Sequence, residues 1–279
     1  MYYPADANVS ARAPMAYPAT APWTGNAAMK YTSYVTQASA GTYDFELVNT
    51  FDGDCRIWLF EGTIEAPVAV ATHAQPIAFT DNAQPLRGHL ARTAANDQMR
   101  AVWNAQALDA AAQVQWGTQS GVYTAAAVAE PHTYQASDMC GDPAATFGWA
   151  NPYWWNWALM TDLQPSTVYY YRFGSNSTGA WSAEASFVSP PALGPHQAVN
   201  IGALADAGMA EYDGTLDHWA EPSAGLTSQH LSDVVHGGSG YDYSLLLHSG
   251  DVSYATGNLA KWALFNSRIE SNGLGLRVP

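Results

Sequence analysis

Charge is scarce in this sequence. Only 12% of its 279 residues are charged, and 10 Lys plus Arg stand against 24 acids. A formal charge of −14 argues against nucleic acid or an anionic membrane as partner, because both need a cationic face. It also repels an anionic substrate unless a local cation reverses the field. Acidity by itself serves solubility. Long apolar runs are missing too. None approaches the ~20 residues that cross a bilayer. The opening segment MYYPADANVSARAPMAYPATAPWTG has no hydrophobic signal-peptide core. Cysteine is nearly absent. Cys55 and Cys140 are the only two, too few and too far apart for a zinc site. One disulfide between them stays open, because spacing alone does not fix its geometry. Two N-x-S/T sequons, at Asn8 and Asn176, are compatible with a secreted, glycosylated chain.

What is there divides by pattern. Residues 1–30 are rich in Ala, Pro, Tyr and Asn without periodicity and read as an extended arm. Residues 31–82 read as a small all-β unit. Tyr43, Phe45 and Leu47 alternate onto one face, and the runs RIWLF, PVAVATH and PIAF follow. Residues 83–190 hold further short strand-like runs punctuated by Gly, Pro and Asn, as in a sandwich. Trp103 and Trp116 are expected in its core. The stretch LQPSTVYYYRFG resembles the strand-entry corner of a fibronectin type III domain. SPPALGP is a linker by composition.

After the linker, residues 196–279 change style. Two apolar runs, each ending in Asp, alternate with two helical patterns, the first near Ser223–Gly237. That order predicts a parallel β-α-β-α unit with a right-handed crossover. Open α/β sheets place their sites in the loops at the strands' carboxyl ends, where Asp206 and Asp251 fall. A parallel pair of this kind exposes apolar faces and an open edge until further strands cover it.

Two motifs could carry chemistry there. ALADAG puts Asp206 just past a strand, although an Asp in that place is usually a turn former or cap. HSGDVSYATG puts Asp251 after the flexible Gly250, and Tyr254 three residues on. A carboxylate can bridge two cations with its two oxygens. A phenolate is a hard anionic ligand suited to ferric iron.

Together, Asp206 in D-x-G and Asp251 with Tyr254 in G-D-x-x-Y resemble the first two of the five metal-binding blocks of purple acid phosphatases. The resemblance continues through PLRGHLA, DQMRAVWN, DMCGDPA, GWANP and MTDLQPSTVYYYRFGS upstream, and through GDVSYATGNLAKWALF. It covers roughly residues 31–279 and fits best the large plant-type enzymes with an added N-terminal β domain. It implies a multidomain chain: a small β unit, a fibronectin type III-like sandwich, and the first half of an α/β metallophosphoesterase sandwich.

The same resemblance implies an acid phosphatase that hydrolyses phosphate monoesters at a binuclear centre of Fe(III) and a divalent metal, Zn, Mn or Fe. Asp206 and Tyr254 would bind the ferric ion and Asp251 would bridge the two. Charge transfer from Tyr to iron colours the family purple. The family's later blocks supply an Asn, three histidine ligands and a His near the leaving group. None of these motifs occurs here, and His218, His230, His236 and His248 do not replace them by motif. Ala205 and Ala207 also depart mildly from the usual first block. The chain therefore carries only the first ligands and no catalytic residue of its own. The expectation is that the rest lies beyond Pro279, so that the 279 residues alone are inactive. The alternative is a non-catalytic secreted protein of assembly or adhesion with a degenerate phosphoesterase remnant. For that, Trp154, Trp155 and Trp157 of GWANPYWWNWALM offer an aromatic surface for a partner chain, a second copy or a sugar.

Overall fold

The computed structural model describes residues 48–51, 58–63, 66–72, 75, 77–79, 81–146, 148–208, 224–235, 243–255, 257 and 259–279. The expected arm, the Tyr43, Phe45 and Leu47 face, Asn8, Cys55, His218 and His236 lie outside them. The small β unit is seen as an antiparallel hairpin of β1 (Trp58–Thr63) and β2 (Ala66–Thr72). Of the PIAF run, the described residues 77–79 form no strand, and Ile77 makes a single bridge.

Eight antiparallel strands follow. They are β3 (Leu86–Arg92), β4 (Met99–Ala105), β5 (Ala112–Gly117), β6 (Ala125–Val128), β7 (Glu130–His132), β8 (Trp154–Met160), β9 (Val168–Ser175) and β10 (Ala185–Val188). They make two four-stranded sheets, ordered β3-β4-β8-β7 and β10-β9-β5-β6. Alternation explains the inner faces. Met99, Ala101 and Trp103 of β4 and Ala158 and Met160 of β8 meet Val114 and Trp116 of β5 and Tyr169, Tyr171 and Phe173 of β9 in one core. Trp103 is stacked on Phe173 with ring centres 5.2 Å apart, joining the two sheets. Trp103 and Trp116 are both buried, as expected. β6 and β7 are edge strands, the position at which Pro131 is tolerated.

In β8, Asn156 points inward and Trp157 outward. Trp155, on the outward side, meets His89 edge-on at 6.3 Å. Trp157 is 39% exposed, with the His132 ring stacked on it at 3.9 Å and the Arg100 guanidinium 5.2 Å from its centre. The aromatic crowd is thus divided between local packing and one exposed ring.

The last part is β11 (Ile201–Ala205), α1 (Ala224–Asp233), β12 (Leu245–Ser249), α2 (Ala260–Ser271) and α3 (Leu274–Arg277). β11 and β12 pair in parallel, with Ala205 opposite Ser249, so the β-α-β-α order is present. Ile201 and Leu247 stay about half exposed, at 48% and 49%. An apolar sheet face is open, as anticipated.

The outer side of β3 receives α2 and α3. Register shifts between Leu86 and His89, and Arg87 takes a left-handed φ of 61°. The Glu270 carboxylate of α2 accepts the backbone N–H groups of Arg87 at 2.7 Å and Gly88 at 2.8 Å. The buried Arg87 side chain donates to Asn104 Oδ1, to the Ala263 carbonyl and to the Asn49 carbonyl. Tyr171 donates its hydroxyl to the Leu276 carbonyl at 2.8 Å. A Cβ on Gly88 would lie 2.2 Å from the Phe173 ring and 3.1 Å from Leu276, so glycine is what permits this close approach.

Burial raises the Glu270 carboxyl above its ordinary range; the two N–H donors and the Arg87 charge offset only part of this. A raised acid contributes its stability below its unfolded value and loses it as pH climbs through the folded one. The buried His89, lowered by desolvation, acts in the opposite sense. The Glu270 contribution is isolated by comparison with Glu270→Gln. Relative to that variant, the wild-type urea midpoint is expected to fall as pH rises above the ordinary carboxylate range. A constant difference would remove Glu270 as the titrating group.

Candidate metal centre

The parallel register sets Asp206 and Asp251 at the carboxyl ends of adjacent strands, β11 and β12. The two loops are tied together, since Gly208 N–H donates to the Val252 carbonyl at 3.1 Å. Tyr254 donates its hydroxyl to Asp206 Oδ1 at 3.1 Å, across 48 positions of sequence. Gly250 makes the turn: its φ of 77° is one glycine adopts freely, whereas a Cβ there would only touch the two Asp206 carboxylate oxygens at ordinary contact distances of 3.7 and 4.0 Å.

The backbone here is unusual. Asp206 and Tyr254 both have left-handed φ, 54° and 48°. Asp visits that region readily, but a bulky aromatic there costs energy and is found where the surroundings hold it. The strain sits at the two residues whose side chains meet.

Among the described residues no group of three or more His, Cys, Asp and Glu is arranged to hold a metal. The assembly at the strand ends is instead two carboxylates and a phenol. Such oxygen donors fit a hard trivalent cation, and the phenol and one carboxylate already converge. The converging Tyr254 and Asp206 oxygens are of the kind that suits the ferric ion the resemblance implies. His248, three residues before Asp251, leans on Phe265 with ring centres 5.8 Å apart. Burial holds its imidazole below the usual range, with the Asp206 charge opposing. His230 is exposed on α1. Cys140 is exposed and unbridged. Asn176 lies in an exposed turn after β9. No helix among the described residues is long and apolar enough to cross a membrane.

The sandwich carries the family match. The purple acid phosphatase N-terminal domain matches residues 85–189, from the start of β3 to just past β10. Residues 85–189 form a purple acid phosphatase N-terminal domain. Over a wider length the chain is similar to the N-terminal portion of plant-type purple acid phosphatases. It is 30% identical to probable inactive purple acid phosphatase 1 of Arabidopsis thaliana over 84% of this chain and 38% of that protein. It is 27% identical to probable inactive purple acid phosphatase 27 of the same plant over 97% of this chain and 45% of that protein. The solved structure of purple acid phosphatase PPD1 from yellow lupin (Lupinus luteus) seeds superposes with a TM-score of 0.72 at 27% identity. That match covers 80% of this chain and 39% of the lupin chain. The chain thus spans less than half the length of these relatives.

Arg87 and Glu270 were not legible as a structural joint. Arg87 stands in the stretch PLRGHLA, which carries the purple acid phosphatase resemblance, but nothing in the sequence alone names its partners.

Proposed function

We propose that this chain supplies the first ligands of the binuclear Fe(III)–M(II) centre of a secreted acid phosphatase acting on phosphate monoesters, M being Zn, Mn or Fe. The observation that carries this is the hydrogen bond from Tyr254 to Asp206 at the ends of neighbouring parallel strands. In this reading the β-α-β-α unit is the opening half of a metallophosphoesterase sandwich, and the sandwich before it is fibronectin type III-like. Asp206 and Tyr254 would hold the ferric ion, and Asp251 would serve as the carboxylate shared with the divalent one. Bound there, the two cations would clamp the phosphate and lower the pKa of a bound water. Tyr254 must give up the proton it now donates to Asp206 before its oxygen can serve as a ligand. Asn176, exposed after β9, would carry a glycan.

A second reading draws on the names of the relatives. The two Arabidopsis proteins are both named as inactive. In that case the strand-end residues persist without turnover, and the exposed Trp157 beside Arg100 and His132 marks an assembly surface. Because the 279 residues alone are expected to be inactive, hydrolysis of p-nitrophenyl phosphate by the native protein isolated from its source and loaded with iron and zinc separates the two. Turnover there that falls at least about a hundredfold in Asp251→Asn supports the enzyme. Absence of turnover in that native protein supports the non-catalytic reading.

A further inference from the structure

The loop that carries Asp251 and Tyr254 does not stand alone. It ends at Gly257, and Gly257 is pressed against the sandwich. A Cβ on Gly257 would lie 2.4 and 2.7 Å from Pro143 Cγ and Cδ. A Cβ on Gly148 would lie 2.1 Å from the Gly257 carbonyl oxygen. Two residues on, Leu259 donates its N–H to the Gly148 carbonyl at 2.8 Å, where α2 begins. Only residues without side chains let two backbones approach this closely.

The sandwich side of the contact is itself braced. Between β7 and β8, the Pro143 carbonyl accepts N–H groups from Thr146 at 3.0 Å and Gly148 at 2.9 Å, and Ala145 donates to Gly141 at 2.9 Å. Thr146 Oγ1 donates to Asp142 Oδ1 at 2.7 Å, and Trp149 meets Tyr134 edge-on at 5.8 Å. At the far end of α2, Glu270 holds the bulge at Arg87 and Gly88. The helix that follows Tyr254 is therefore gripped at both ends by the purple acid phosphatase N-terminal domain. Pro143 and Gly148 press on Gly257, three residues after Tyr254; Tyr254 in turn reaches Asp206, and Val252 accepts the Gly208 N–H.

We infer that the 141–149 loop of the sandwich is a positioning element for the proposed metal ligands, with Gly148 as its key residue. The domain contributes no ligand. It fixes the loop that does, so that Asp251 and Tyr254 are presented to a cation without first having to be ordered. The inference rests on the proposed metal centre for its purpose, but not for its physical content.

The test is amide hydrogen exchange on the intact, iron-free protein. Gly148 is not in the left-handed region, so Gly148→Ala adds a steric push on Gly257 without backbone strain of its own. Exchange over 250–255 is expected to quicken by about tenfold, while β4 and β8 keep their protection. Leu259→Pro is the milder companion. It removes the N–H bond to Gly148, and the Leu259 φ of −69° suits proline. A rise confined to 250–255 in Leu259→Pro supports the inference. Unchanged protection of 250–255 in that variant overturns it, whatever Gly148→Ala does. Ferric loading is then read separately. If wild type develops a phenolate-to-iron band, Gly148→Ala should weaken it while keeping the sandwich folded. If wild type shows no band, the metal proposal fails, and the exchange result still decides the positioning role.

Discussion

Arg87→Met is expected to destabilise the protein by about 3–5 kcal/mol, measured by urea unfolding followed by near-UV circular dichroism. The guanidinium is almost fully buried, at 1% exposure. It satisfies Asn104 Oδ1 and the carbonyls of Asn49 and Ala263, and it packs 5.0 Å from the centre of the Phe51 ring. Methionine fills most of the volume but donates nothing, so the buried Asn104 Oδ1 and two part-buried carbonyls lose a partner. The Glu270 carboxylate also loses the nearby positive charge that offsets part of its burial cost. Arg87→Lys should recover little of the loss, because an ammonium cannot reproduce the planar fork that reaches three acceptors. A cost within about 0.5 kcal/mol of zero would show that these bonds are made equally well by water.

Trp103→Ala should cost a similar amount, about 3–5 kcal/mol. Trp103 is 1% exposed and lies on β4 at the centre of the sandwich, with its ring stacked on Phe173 from the opposite sheet. Truncation removes the largest fully buried side chain of the core and leaves a cavity that strands on both sides are too constrained to close. The two effects differ in kind. Trp103→Ala should loosen both sheets. Arg87→Met should act at the joint between the sandwich and α2, exposing it to proteolysis before the sandwich core melts. Equal loss of protection in β4 and α2 for both variants would show instead that the sandwich and the β-α-β-α unit unfold as one.

Both residues show where sequence reasoning reaches and where it stops. Trp103 was legible because it lies in an alternating run, MRAVWN, whose apolar positions share one face. The parallel pair was legible for a related reason: two apolar runs ending in Asp with a helical pattern between them admit few topologies. Topology then brings the ends of those runs together, so Asp206 and Asp251 could be placed as neighbours. The ligand role proposed for them rests on the purple acid phosphatase resemblance, not on spacing. Arg87 was not legible. In PLRGHLA an Arg looks like surface; its side chain is received by the Ala263 carbonyl 176 positions away, beside a local bulge that breaks the strand period. Nothing in the helical pattern marks Glu270 as its neighbour. The strands β6 and β7 were missed because Ala-rich and Pro-containing runs carry little strand signal. Gly148 and Gly257 were visible as glycines, but close backbone contact between distant segments leaves no periodic trace.

The central claim is that Asp206, Asp251 and Tyr254 form a ferric oxygen-ligand site at the ends of β11 and β12. Its most direct test is titration of the iron-free protein with Fe(III), wild type beside Tyr254→Phe, followed by visible absorption. A phenolate-to-iron charge-transfer band is expected in wild type, absent in Tyr254→Phe and weakened in Asp206→Asn. No band in wild type, or a band of equal strength in Tyr254→Phe, would contradict the claim.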